Sequence, residues 1–254
     1  MAGQRTVALI VGGGTGIGLA TAERLLRRGC AVALSGRREP VLAEAARHLR
    51  SSVDGAEVET VAADGGSETD AQGMVETTLR AFGSLNVLVN CAGIYEPVHF
   101  LALEEDSWRR TMSTTLDAQL YPSVAAAKVM ADAGGGRIIL ISSINSPLSE
   151  PESTHYSAAK AAVSSLARSI AVDLADRGIQ ANAVAPGWVH TAMVDDFVKQ
   201  ASPESLRRLN VVGRVGLPDE VANVIEYLAL DAPDYLTGTT LFVDGGQTAM
   251  APLL

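Results

Sequence analysis

Short β-branched apolar runs alternate along this chain with longer stretches whose apolar positions recur every three to four residues. Arg5–Val11 (RTVALIV) reads as a buried strand. Gly16–Arg28 then reads as an amphipathic helix with Leu19, Ala22, Leu25 and Leu26 on one face, closed by Gly29. The alternation continues with strand Ala31–Ser35, helix Val41–Leu49, strand Glu57–Ala62, helix Glu68–Phe82 and strand Val87–Asn90. Ser107–Ala133 predicts a short helix running into a long one. Strand Arg137–Ser142, the Ala-rich helix Thr154–Asp176, strand Ile179–Val184, helix Pro218–Leu230 and strand Thr240–Val243 complete the series. Strands alternating with helices predict an α/β fold. We read one doubly wound domain over residues 1–254, with a seven-stranded, mostly parallel sheet and helices on both faces. Residues 188–210 break the rhythm. They are polar, lack a strand and follow the end of the sixth one, so they read as a substrate lid.

Composition narrows the partners. Hydrophobic residues make up 47% and charged residues 19%, enough for one sizeable core, and the net charge of −9 does not suit a nucleic-acid backbone. Cys30 and Cys91 belong to strands expected on either side of the first, about 10 Å apart, so both read as reduced thiols. No apolar run approaches a membrane span, and the chain start leads straight into a strand, so neither an anchor nor a secretory leader is expected and the cytoplasm is the expected compartment. His48, His99, His155 and His190 have no paired-ligand spacing, so no metal is expected. His155 reads as an exposed helix-start residue, and Glu150 and Glu152 as solvated loop acids.

The turn after the first strand carries the first candidate chemistry. Gly12, Gly16 and Gly18 meet the pattern G-x-x-x-G-x-G and not G-x-G-x-x-G. A tight turn, close backbone approach and a helix N-terminus together make a pyrophosphate site. We assign Gly12, Gly14, Thr15, Gly16, Ile17 and Gly18 to a dinucleotide, which makes this a Rossmann-type sheet. The second strand ends in Ser35-Gly36-Arg37-Arg38, with no acid before Glu39. Arg37 suits a 2′-phosphate and favours NADP(H), with NAD(H) left open.

The second candidate chemistry lies beyond the fifth strand. Ser143 stands at its end, and Tyr156 and Lys160 share one helix face at i, i+4. Oxidising an alcohol removes a hydride and a proton. A tyrosine near its ordinary pKa of about 10 is a poor base unless a cation stands beside it, which Lys160 is expected to supply. Ser143 is placed to donate to the substrate oxygen. In reduction Tyr156 becomes the acid. Asn145 and Trp188 are candidate substrate walls, and Val194, Phe197 and Val198 give the lid an apolar side.

Taken in order, these landmarks resemble the short-chain dehydrogenase/reductase family. They are Gly12-x-x-x-Gly16-x-Gly18, Asn90-Cys91-Ala92-Gly93, Ser143, Tyr156-x-x-x-Lys160, Pro186-Gly187 and Val243-Asp244-Gly245-Gly246. The resemblance implies an NAD(P)-dependent oxidoreductase acting on a secondary alcohol or ketone. Tyr156 would be the general acid/base, Lys160 the ribose ligand that depresses its pKa, and Ser143 the substrate-orienting group. Asp64 would meet adenine. Asn90, Ala92 and Gly93 would line the cofactor groove, and Pro186, Gly187, Val189 and Thr191 would hold the nicotinamide. A homotetramer, or a dimer, built on the Ala-rich helices is implied as well.

Two departures stand out. Val11 replaces the threonine that usually opens the glycine motif, and Thr115 stands where the family places a catalytic asparagine. That asparagine helps hold a water linking the lysine to solvent, so Thr115 predicts a weakened relay with hydride transfer retained. Two other readings share the fold. Epimerase or dehydratase chemistry usually needs a larger C-terminal region than the eleven residues after Val243. A non-catalytic dinucleotide-binding regulator conflicts with intact Ser143, Tyr156 and Lys160, though Thr115 fits it.

Overall fold

A computed structural model describes residues 5–250 of the chain. Its sheet is built from β1 (Val7–Val11), β2 (Ala31–Gly36), β3 (Val58–Ala62), β4 (Val87–Asn90), β5 (Gly136–Ile141), β6 (Ile179–Pro186) and β7 (Thr240–Val243), in the order β3-β2-β1-β4-β5-β6-β7. Every pairing is parallel. β1, β2, β4 and the end of β5 are almost wholly buried because helices cover both faces, and this is why those segments read as unbroken apolar runs. Ala8, Ile10, Val32 and Leu34 face one buried layer, and Leu9, Val11, Ala33 and Leu88 face the other.

Among the described residues, eight helices connect or cover the strands up to β6 and beyond it: α1 (Gly16–Arg27), α2 (Glu39–Ser52), α3 (Glu68–Phe82), α4 (Glu105–Met112), α5 (Ala118–Ala133), α6 (Thr154–Leu174), α7 (Asp195–Gln200) and α8 (Pro203–Arg208). A ninth, α9 (Pro218–Glu226), precedes β7. α2 starts two residues before its apolar stripe, because Pro40 is preset for a first helical turn. The expected short helix running into a long one is α4 and α5 joined by a π-type segment, Ser113–Asp117. Pro122 has no N–H to give the carbonyl of Ala118. The buried side-chain amide of Asn90 donates to that carbonyl instead, at 2.7 Å.

β1 is in register with Ser35 and Asn90 at Val11. The crossovers diverge between β1 and β4, so the crevice of a doubly wound sheet opens above their C-terminal ends. The 188–210 segment holds α7 and α8 and a parallel bridge from Val189 to Gly216, so it is more ordered than its polar sequence suggests. The chain start before Arg5 and the side chain of Phe197 lie outside the described residues. No helix among the described residues is long and apolar enough to cross a membrane.

Candidate active site

The glycine turn forms one wall of the crevice. Gly12 N–H and Gly13 N–H both donate to the Ser35 carbonyl, at 2.8 and 3.1 Å. These backbone bonds hold the turn where Val11 lacks the family's hydroxyl. Gly12 has φ +74°, which a side chain would strain. A Cβ on Gly18 would lie 2.3 Å from the Gly12 carbonyl oxygen, so only glycine lets α1 pack this close to the turn. Thr15 caps α1 without a side-chain bond, and no acid sits in the first turn. The first N–H groups and the positive dipole end therefore face the crevice with nothing of the helix's own to bind.

Gly14, Gly16 and Ile17 complete this wall, and Arg37, Asp64, Ala92, Gly93, Pro186, Gly187, Val189 and Thr191 line the same cleft. Arg37 and Arg38 are exposed at its rim and make no ion pair with a described residue. Asp64 accepts the Gly66 N–H at 3.0 Å while facing the cleft. Asn90 departs from expectation. It is fully buried beneath the cleft, and its amide is spent on the Ala118 carbonyl and the Ala92 N–H. It braces the turn and does not line the groove.

At the far end of the same cleft stand Ser143, Tyr156 and Lys160. β5 delivers Ser143 two residues past its end, and successive turns of α6 deliver the other two. Ser143 Oγ accepts the Asn145 N–H at 3.1 Å, and Ser143 acts on the Tyr156 phenol so as to favour its ionised form. Lys160 is buried and its Nζ donates to the Ile141 carbonyl at 2.8 Å, 5.6 Å from the centre of the Tyr156 ring. Burial pushes the tyrosine up to about 12; Ser143 opposes this, while Tyr95 and Glu150 add to it. Burial brings the lysine down to about 8.

The ammonium thus lies over the tyrosine ring while it is bonded to the Ile141 carbonyl. The phenol stays protonated through neutral pH, ready to donate.

Thr115 is buried in the π-type segment, and its Oγ1 accepts the Ile94 N–H at 3.3 Å. It holds the backbone beside Gly93, where a Cβ would lie 3.2 Å from Lys160 Nζ. The neighbouring Thr114, not Thr115, reaches the cleft. Asn145 is buried, and Trp188 and Glu150 are half-buried; burial raises the Glu150 pKa, which Asn145 and Trp188 oppose. Glu150 is therefore no solvated acid. His155 is also buried, with neither ring nitrogen hydrogen-bonded in the described structure, contrary to an exposed helix start.

Two further residues escaped the sequence. Tyr95 packs edge-on against Tyr156, ring centres 5.1 Å apart. Gln119 is buried and donates to the carbonyls of Asn90 and Ala92 at 3.1 and 2.9 Å. The only hint of the first was an aromatic directly after Asn90-Cys91-Ala92-Gly93-Ile94. Nothing in the helical pattern marked the second.

Comparison with known proteins follows the same residues. The family described as Enoyl-(Acyl carrier protein) reductase matches residues 12–248. The chain is 38% identical to cis-4-hydroxycyclohexanecarboxylate dehydrogenase of Sinomonas cyclohexanicum, over 96% of this chain and 97% of that one. It is 34% identical to the NADP-dependent (R)-specific alcohol dehydrogenase of Lentilactobacillus kefiri, over 96% of each. Among solved structures it superposes on a gluconate 5-dehydrogenase from Burkholderia cenocepacia J2315, in complex with NADP and tartrate, with a TM-score of 0.91 and 34% identity. That match covers 97% of this chain and 96% of the other.

Proposed function

The chain belongs to the short-chain dehydrogenase/reductase family, and from that premise we propose a hydride transfer between NADP(H) and a secondary alcohol or ketone, with Tyr156 as acid and base. It is an NAD(P)-dependent oxidoreductase acting on CH–OH groups. The observation that carries the role of Tyr156 is its meeting with Ser143 and Lys160 at one end of a cleft whose other end is the glycine turn.

A nicotinamide dinucleotide bound in this cleft accepts or supplies the hydride. The cradle around Gly18 and the free N-terminus of α1 fit its pyrophosphate. Arg37, with no acid paired to it among the described residues, fits a 2′-phosphate, and NADP appears in the names of the Lentilactobacillus enzyme and the Burkholderia complex. Ser143 orients the substrate oxygen and steadies the charge that grows on it. Tyr156 delivers the proton in reduction and takes it in oxidation. Lys160 holds the ribose and keeps a positive charge under the phenol ring. Thr115 keeps the Gly93–Ile94 backbone in place beside that lysine.

Residues 188–210 act as the lid over this end, since Val189, Thr191 and Val194 already line the cleft. The working unit is a cytoplasmic homotetramer. Exposed Phe242 on the edge strand β7, together with Trp108 and Val172 on α4 and α6, supports the assembly. Two unpaired thiols support the compartment.

A panel of secondary alcohols and ketones with NADPH and NADH, followed by nicotinamide absorbance, tests the reaction. Turnover with NADPH preferred is expected. NADPH binding without turnover of any panel member would move the chain to the regulatory reading.

A further inference from the structure

The ring of Tyr156 meets groups from two parts of the fold. The Lys160 ammonium, bonded to the Ile141 carbonyl at 2.8 Å, lies 5.6 Å from the ring centre. The Tyr95 ring lies 5.1 Å away, centre to centre, at an angle of 72°, the edge-to-face arrangement that aromatic pairs favour. Lys160 stands on the same helix as Tyr156, one turn on. Tyr95 reaches it from the loop after β4, so this contact ties the phenol ring to another element.

That loop is anchored at alternate residues. The Ile94 N–H donates to Thr115 Oγ1 at 3.3 Å, in the π-type segment. The Glu96 carboxylate pairs with Arg110 on α4 at 2.6 Å. The Val98 N–H donates to the Glu152 carbonyl at 2.9 Å, just before α6. Glu152 has φ +61°, the only non-glycine residue with positive φ among those described. Such a conformation costs free energy and persists where the surroundings over-determine it. Between the first two ties stands Tyr95, half-buried against Tyr156.

A phenol passes its proton only within hydrogen-bond reach of the substrate oxygen, and a small misplacement costs a large factor in rate. The hydroxyl sits at the far end of the ring, so a tilt of the ring is magnified there. We propose that Tyr95 is a positioning residue for the reaction: its ring fixes the direction of the Tyr156 phenol, and the tied 94–98 loop is its mount. The role belongs to the flat ring of Tyr95 and not to its hydroxyl. The inference rests on the reading of Tyr156 as the acid–base group.

The test is single-turnover reduction of a ketone by the NADPH-loaded protein, with cyclohexanone as the first probe. Tyr95→Leu and Tyr95→Met keep apolar bulk without the ring, and each should slow reduction by about tenfold or more. NADPH affinity, read by nicotinamide fluorescence, should stay within about twofold, so the loss falls on kcat and not on KM. Tyr95→Phe should restore the rate to within about twofold of wild type. In a Tyr156→Phe background, Tyr95→Leu should cost less than about twofold more, because no phenol oxygen remains to be aimed. Leucine and methionine variants as fast as wild type overturn the inference. So does a Tyr95→Phe protein as slow as they are, a loss of NADPH affinity in step with the rate, or an undiminished loss in the Tyr156→Phe background. A Tyr156→Phe protein as fast as wild type, or a wild type that reduces no ketone of the panel, removes the acid–base reading itself, and the inference falls with it.

Discussion

Replacing Lys160 with methionine is expected to make the protein more stable while destroying its activity. The lysine is only 3% exposed, and burial lowers its pKa from 10.5 to about 8. At 1.36 kcal/mol per pH unit, holding this ammonium in the fold at pH 7 costs about 3 kcal/mol. Methionine has similar bulk and no charge. It leaves the Ile141 carbonyl without its donor, which costs about 1 kcal/mol. The net gain is about 2 kcal/mol, or a rise in Tm of about 4–8 °C for a chain of this size. The pH dependence carries the sign. Between pH 8 and 10.5 the unfolded chain keeps the lysine proton and the folded chain has released it, so wild-type stability rises with pH through that window. The advantage of Lys160→Met is therefore complete at and below pH 7 and shrinks as pH climbs past 8. Scanning calorimetry of both proteins without nucleotide, from pH 7 to 9.5, measures it. A variant that melts below wild type at pH 7, or a gap indifferent to pH, would refute the reasoning.

Three other outcomes follow from the cleft. Arg37→Gln should raise KM for NADPH by about 10- to 100-fold and leave NADH within a few-fold, because only one nucleotide has a phosphate to lose an ionic hydrogen bond; parallel kinetics with both nucleotides decide it. Gly18→Ala must displace the Gly12 carbonyl, so nucleotide affinity should fall at least about tenfold and stability by about 1–3 kcal/mol, read by fluorescence titration and urea unfolding. Thr115→Val should cost about 1 kcal/mol for the stranded Ile94 N–H, while Thr115→Asn should raise the rate and move its pH profile. No change in either quantity in Thr115→Asn would remove the relay argument.

Much of the frame was legible because burial on both faces leaves parallel strands as plain apolar runs. Leu9, Ile10, Leu34 and Leu88 announce themselves this way. The glycine turn and the Tyr156–Lys160 pair were legible because their spacing is local: one turn, and one helical repeat. What escaped depends on contacts distant in sequence. The Ala118 carbonyl, left without a helical donor by Pro122, is taken by a buried asparagine 28 residues before it. Asn90 looked like a groove residue because the motif marks its position and not the direction of its amide. The bond of the Lys160 ammonium to the Ile141 carbonyl was out of reach of helix spacing, because the end of β5 sets it. Glu150 looked solvated in a polar loop. It is half-buried instead, with its backbone held by the Ser153 hydroxyl.

The central claim is that one half-buried phenol, at the same end of the cleft as Ser143, moves the proton. Single-turnover reduction of a ketone by NADPH-loaded Tyr156→Phe tests it, since phenylalanine keeps the ring packed against Tyr95 and removes only the hydroxyl. The rate should fall by about a hundredfold or more with NADPH binding unchanged. A variant that reduces the ketone as fast as wild type would contradict the account.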